Sequence, residues 1–299
     1  MRLLFCCLIL SFGWLSASAQ TMRQRSYSFL ELAPTARIGA LGGVNVSLAD
    51  RDVNFFMSNP ALVGDTLSGW ASAGYQFFLA DIGQASAAYS HTFNKVGQLS
   101  LGVQHMGYGK LTGYDASGQE IGEFKSGETA IVIGKSHQVG AFRMGANLKF
   151  AFSSIAGFRS SAVMVDLGGV FIHPKQHFTV GMVVRNLGVV MSEYSASSAT
   201  SLPVDLQLGA TFKPEYMPMR FSVTAYSLLE STATYDDPTL QNEPPGTLDK
   251  VLRRFNFAAE ILLGKNVTAM VGYNFRVHQE LKLDNGGADP VLPSACRRK

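Results

Sequence analysis

From Trp70 onward the side chains alternate between apolar and polar with a period of two, in unusually long runs. Phe142, Met144, Ala146, Leu148, Phe150 and Phe152 are separated by Arg143, Gly145, Asn147, Lys149 and Ala151. Val204, Leu206, Leu208, Ala210 and Phe212 alternate with Asp205, Gln207, Gly209 and Thr211, and Phe255, Phe257, Ala259, Ile261 and Leu263 with Asn256, Ala258, Glu260 and Leu262. Val267, Ala269, Val271, Tyr273 and Phe275 alternate with Thr268, Met270, Gly272, Asn274 and Arg276. Successive side chains of a strand point to opposite faces, so one face meets a greasy medium and the other a polar one. Eleven such segments fall at about 70–80, 83–93, 97–107, 128–138, 141–152, 160–172, 177–187, 203–213, 219–229, 253–263 and 266–277. Soluble strands have a mode of about five or six residues, whereas a tilted strand crossing a bilayer needs ~9–11. The expected fold is therefore all-β, a transmembrane antiparallel up-and-down β-barrel built from residues 70–277. Phe142, Leu148, Phe150, Phe257, Ile261, Val271 and Tyr273 should face lipid, and Arg143, Asn147, Lys149, Glu260 and Arg276 the lumen.

Punctuation agrees with that pattern. The eleven prolines lie in the N-terminal segment, in connections or at a strand edge, never in a strand interior where each would remove a ladder donor. Connections after the second, fourth, sixth, eighth and tenth segments are tight: Asn94-Lys95-Val96, Val139-Gly140, Pro174-Lys175-Gln176, Lys213 to Pro218, and Gly264-Lys265-Asn266. Three of those after odd segments are long, at 108–127, 188–202 and 230–252. Short turns on one side and longer loops on the other are the signature of an outer-membrane barrel, with the short turns periplasmic.

The N-terminus points to export. Arg2, the apolar run Leu3 to Leu15 and Ala17-Ser18-Ala19 read as a signal peptide over 1–19, too short for a ~20-residue membrane helix. Cys6 and Cys7 then belong to its apolar core and leave Cys296 alone, so an internal disulfide cannot be the source of stability. Charged residues make up 16% of the chain, against roughly 25% in average soluble domains. No second apolar run reaches helix-spanning length. A net charge of +3 gives no nucleic acid a reason to bind.

Residues 20–69 do not alternate. They carry Gly39, Gly42, Gly43, Asp50 and Asp52, then Asn59-Pro60-Ala61, and read as a hatch packed in the lumen. The stretch Ala36-Arg37-Ile38-Gly39-Ala40-Leu41-Gly42-Gly43-Val44-Asn45-Val46-Ser47-Leu48-Ala49-Asp50, with Asn54 and Ser58-Asn59-Pro60-Ala61-Leu62, resembles the hatch of the FadL-like barrel superfamily. Within it, the chain is most similar to the PorV/PorQ group of the type IX secretion system of Bacteroidota, nearest to the PorQ members. Tyr27 to Leu32, Leu79-Ala80-Asp81-Ile82, the hairpin from Tyr108-Gly109-Lys110 to Gly122-Glu123-Phe124, and Tyr235-Asp236-Asp237-Pro238 carry that likeness. It implies a fourteen-stranded barrel in the outer membrane that anchors a surface partner without being an enzyme, beside attachment-complex proteins (PorZ-like, PorU- or PorV-like). No cofactor is implied. In such an anchor the outer-loop aromatics Tyr114, Phe124, Tyr194 and Tyr235 are the natural partner contacts, since interfaces favour aromatics.

The resemblance fades near Asp284. Residues 278–299, ending in Ser294-Ala295-Cys296-Arg297-Arg298-Lys299, hold no terminal aromatic strand and are expected to be irregular, so that three strands of the family pattern are absent and the barrel does not close. The inward charges Arg143, Lys149, Asp166, Arg185, Asp205, Arg254, Glu260 and Arg276 could select a solute, or simply pair with one another and with the hatch. His173 and His177 are four apart, but Pro174 rules out a helical metal pair. Asp236-Asp237 with Glu243 reads as a solvated loop. No serine, histidine and carboxylate stand at a diagnostic catalytic spacing. Against the anchor stands a second class, a FadL-like transporter of hydrophobic small molecules, which would need a greasy pocket behind the hatch.

Overall fold

A computed structural model describes residues 24–175, 177–195, 198–230, 247–264, 267–280 and 294–298. The expected signal peptide lies outside the described residues. The strands are β1 (Gln24–Arg25), β2 (Trp70–Phe77), β3 (Gly83–Phe93), β4 (Gly97–Tyr114), β5 (Glu120–Val139), β6 (Phe142–Ile155), β7 (Phe158–Ile172), β8 (Phe178–Ser192), β9 (Thr200–Ser201), β10 (Asp205–Phe212), β11 (Met219–Ala225), β12 (Phe255–Leu263), β13 (Val267–Asn274) and β14 (Ser294–Arg298). The helices are α1 (Ala36–Ala40), α2 (Thr247–Leu252) and α3 (Phe275–Glu280). Between α1 and β2 the chain makes three short 3-10 helices, Val53–Met57, Pro60–Leu62 and Asp65–Leu67.

The strands from β2 to β14, β9 apart, form one twelve-stranded sheet in sequence order, every pairing antiparallel. β1 and β9 pair in parallel as a separate two-residue ladder. Among the described residues no ladder joins β2 to β13 or β14. No helix is long and apolar enough to cross a membrane, which says nothing of strands.

One face of the sheet is buried and the other is greasy and exposed. In β6, Asn147 and Lys149 are buried while Phe142, Leu148 and Phe152 are exposed, as alternation requires. Phe257, Ile261 and Val271 are likewise on the outer face, with Glu260 inside. Hydrogen bonds from the segment before β2 reach the buried face of every strand from β2 to β13 except the tiny β9. Eleven strands about 4.8 Å apart would span about 50 Å if flat. One compact segment can touch both margins and the middle only if the sheet curls around it.

Four expectations change. The stretch 108–127 is not an open loop: β4 and β5 continue as a paired hairpin to a turn at Asp115–Gln119, past a bulge between Gly107 and Lys110. The hairpin lacks an apolar face there, so periodicity did not mark it as strand. The last alternating segment ends at Asn274, and Arg276 lies in α3, where its guanidinium reaches Glu230 at 3.5 Å. The tail is not wholly irregular, because 294–298 forms β14 on the free edge of β13. An edge presents unpaired donors and acceptors to any extended segment. Finally, part of 230–252 is helical, as α2.

Candidate functional site

The buried face of the sheet and the segment that fills it form the candidate site. Short polar side chains fold this segment into turns. Thr35 caps α1 by accepting from Ile38 N at 3.5 Å, Asp52 accepts from Asn54 N at 3.1 Å, and Asn59 accepts from Ala61 N at 3.0 Å. Each cap satisfies a donor that a helix start leaves open. The apolar side chains between the caps, among them Ile38, Leu41, Phe55, Phe56 and Leu62, are almost wholly buried and pack against inner-face residues such as Val132, Val170, Ala258 and Met270.

Asn59-Pro60-Ala61 sits at the wall formed by β6, β7 and β8. The Asn59 amide donates to Val46 O at 2.8 Å and lies 3.4 Å from Gly169 O and 3.5 Å from Met182 O. The wall is made of glycine where it passes this element. A Cβ on Gly168 would fall 2.0 Å from Asn59 Oδ1, and one on Gly145 would fall 2.6 Å from the Pro60 carbonyl carbon. The three residues are therefore seated in a notch, and are more than a turn leading into β2.

The glycines near α1 serve the margins of the sheet. Gly42 and Gly43 both have positive φ, 85° and 93°. A Cβ on Gly42 would meet Asn256 Oδ1 at 2.0 Å, and one on Gly272 of β13 would meet Gly42 N at 2.0 Å. Asn256 donates to Leu41 O and Val44 O at 2.7 Å each, and Asn274 to Gly42 O at 3.1 Å. On the opposite margin, Gln76 of β2 and Gln84 of β3 donate to Ala33 O at 3.1 and 2.9 Å. Gly39 packs beside Gln76.

Asp50 belongs to a buried charge cluster. Arg37 of α1 pairs with Asp50, with Asp52 at 3.3 Å and with Glu260 of β12 at 3.0 Å; Arg220 of β11 pairs with Glu260 at 2.6 Å and Asp50 at 3.2 Å. Arg37 also stacks over the Phe55 ring at 5.1 Å. Burial alone would push the Asp50 carboxyl up, but Arg220 and Arg37 more than reverse this and hold it well below the ordinary carboxylate range.

The other inward charges are also spoken for. Lys149 meets Asp166 at 2.8 Å and Asn186 at 3.0 Å, both wholly enclosed. Arg185 donates to Leu30 O, Arg143 to Leu62 O at 3.1 Å each, and Arg254 to Glu230 O at 2.6 Å. Asp205 accepts from Gln207 at 2.7 Å. Arg143 and Arg185 thus hold the segment in place, while Lys149, Asp166, Asp205 and Arg254 bond among the strands and their connections. Two cavities border it. One of about 590 Å³ opens at the short-turn end, among Arg51, Arg143, Lys175, Lys213 and Arg220. The other, about 270 Å³, lies between Leu32, Gly43, Arg185, Asp205 and Arg276. The first is strongly polar, whereas the second also has Leu30, Ala33, Val44, Tyr226 and Val277 in its lining.

At the opposite end Tyr114 is exposed at the hairpin tip, with Leu79 and Ile121 also bare. Phe124 is half-buried opposite Leu111, and Tyr194 turns inward to bond Ser153 at 2.6 Å. Tyr235, like Asp236, Asp237 and Glu243, lies outside the described residues. Among the residues that hold the segment and that the sequence did not single out are Arg220, Gln76, Gln84 and Gln104. All stand at inner positions of their strands, and an unexpected long amide or guanidinium there was the available signal. No family model and no curated protein matches this chain.

Proposed function

We propose that the chain is an outer-membrane β-barrel of the type IX secretion system, a non-enzymatic anchor that holds a surface attachment-complex protein at its outer rim. One observation carries this reading: the interior of the curled sheet is occupied by residues 26–69, bonded to every long strand, while the opposite wall is a broad exposed apolar face. In water such a face would aggregate; facing acyl chains it is the expected surface of a membrane barrel. A filled interior leaves the rim as the working surface. There the β4–β5 hairpin projects with Tyr114 and Ile121, 63% and 70% exposed, at its tip, where aromatic and aliphatic side chains are suited to a protein contact. The resemblance of the hatch sequence to the PorV/PorQ group supplies the type of partner.

The transporter reading needs an apolar ligand chamber; the cavity of about 590 Å³ is rich in arginine and lysine, while that of about 270 Å³ sets Leu30, Leu32 and Val44 beside Arg185 and Arg276 and is too small for a long acyl chain. The test is extraction of the full chain from outer membranes in mild detergent, with a photo-crosslinking residue at Tyr114. A stoichiometric surface protein, crosslinked at Tyr114, is expected. A bound lipophilic molecule with no crosslinked protein would overturn the anchor in favour of transport.

A further inference from the structure

The outer wall of the sheet changes character along four neighbouring strands. The register sets Val103, Ile131, Phe150 and Val163 side by side across β4 to β7, all pointing outward. Two residues toward the hairpin the row reads His105, Thr129, Phe152 and Ser161; two further it reads Gly107, Gly127, Ser154 and Arg159. Beyond these, Lys110 faces Lys125 across the bulged hairpin. Because Gly107 and Gly127 are opposite each other, the wall is hollow there, and a groove of about 1100 Å³ opens among these rows.

We propose that this groove binds the phosphate-bearing headgroup of a membrane lipid, with the acyl chains lying along Phe152, Phe150 and Ile131. This rests on the reading of the sheet as a membrane wall. Charge favours an anion: Glu123 engages Lys110 at 3.0 Å, while Lys125 and Arg159, both exposed, make no ion pair among the described residues. Asp81, beside Gly109, is the only other carboxylate lining the groove. Hydroxyls of Thr129, Ser154 and Ser161 add neutral partners for phosphate oxygens. Depth favours a lipid over a soluble anion. The outward lysines of β5, Lys125 and Lys135, are both exposed, and only Gly127, Thr129, Ile131 and Ile133 stand outward between them. Their separation is about 33 Å along the strand and about 25 Å once tilted, the height of a barrel's apolar band. Lys125 therefore sits at headgroup level, at the upper end of an apolar track. An occupant that uses both must be amphiphilic.

The test reconstitutes the full chain in phosphatidylcholine vesicles and measures, by spin-label resonance, its preference for spin-labelled phosphatidic acid over spin-labelled phosphatidylcholine. Flotation and heat-modifiable migration establish insertion in the same samples. The expected preference is about five-fold or more, as one basic side chain at a membrane surface provides. It should fall to near parity in Lys125→Gln/Arg159→Gln and survive in Lys95→Gln, which alters the far turn. Inorganic phosphate at tens of millimolar should not displace the lipid. Inserted protein with no preference, or one unchanged in the double variant, overturns the groove while the membrane wall stands. Displacement by inorganic phosphate overturns the lipid as its occupant. Failure to float overturns the membrane wall and the groove together.

Discussion

Replacing Arg37 by methionine should loosen the plug more than any other single side-chain truncation in the charge cluster. Arg37 is 8% exposed at its side chain and pairs with Asp52; it also shares Asp50 and Glu260 with Arg220. Without Arg37, Asp50 and Glu260 are left to Arg220 alone among the described residues, and leaving buried charge unpaired costs about 3–5 kcal/mol. Arg220→Met should cost less, since Arg37 still reaches all three carboxylates. Lysine cannot substitute, because one ammonium cannot fork to three acceptors at these positions. The assay is urea unfolding of the inserted protein, followed by protease cleavage within 36–62. Adding Glu260→Gln to Arg37→Met should restore part of the loss by removing excess negative charge. If Arg37→Met were as resistant as the parent, or if Glu260→Gln deepened the defect, the cluster would not be what latches the plug.

Acid should release the latch late: Asp50 is held low by Arg220 and Arg37, so its stabilisation is present above the ordinary carboxylate range and lost only as pH falls through the depressed value. Residues 36–62 should thus resist an acid-active protease at pH 4 and yield in stronger acid. Alkali should act at the other end of the plug. Burial pushes the Tyr27 phenol up to about 12, against the opposing pull of its Ser160 hydrogen bond. A raised acid stabilises below its ordinary value near 10 and loses that contribution as pH rises from about 10 toward 12; phenolate absorbance and N-terminal cleavage should rise together. Gly272→Ala should cost about 1–3 kcal/mol, because its Cβ would fall on the Gly42 backbone, whereas Gly169→Ala, with nothing within 4 Å, should be silent in the same urea titration.

How much of this was legible follows from the range over which each signal acts. Alternation is a property of neighbours, so β6 could be read with its inner Asn147 and Lys149 and outer Phe142 and Leu148 directly from sequence. Turn chemistry is equally local, and the five tight connections fall where glycine, proline and lysine cluster. Which inner side chain meets which plug atom depends instead on how the sheet curls. Nothing near Asn256 announces that it will hold Leu41 and Val44, 215 and 212 residues away. The same gap affects mutational reasoning. Sequence alone makes Phe150→Lys the harsher change and Lys149→Phe the milder, since a lysine in lipid costs about 2–4 kcal/mol. The enclosed Lys149–Asp166 pair adds a cost that the sequence does not show, since Lys149→Phe removes the cation from a buried carboxylate that then keeps only the Asn147 amide and the Asn186 N–H, so the folded state penalises both changes by a similar few kcal/mol.

The plug also accounts for how the curled sheet can keep its shape where, among the described residues, its margins are not laddered together. Ala33 O accepts from Gln76 and Gln84 at one margin, while Leu41, Gly42 and Val44, only eight to eleven residues later, accept from Asn256 and Asn274 at the other. Between them lies α1, whose five residues rise about 7.5 Å, so the two margins are held close together by one rigid turn of chain. All four donors are side-chain amides on inner positions, and all four acceptors are backbone carbonyls of the plug. A backbone acceptor cannot be lost by substitution, whereas an amide can, so the margins of the sheet are specified by Gln76, Gln84, Asn256 and Asn274 and the plug by the turns that aim its carbonyls outward. Thr35, which caps α1, and Gly42, whose positive φ redirects the chain after it, are the two residues that set those aims. The segment without periodicity is in this way the element that determines how the periodic one curves.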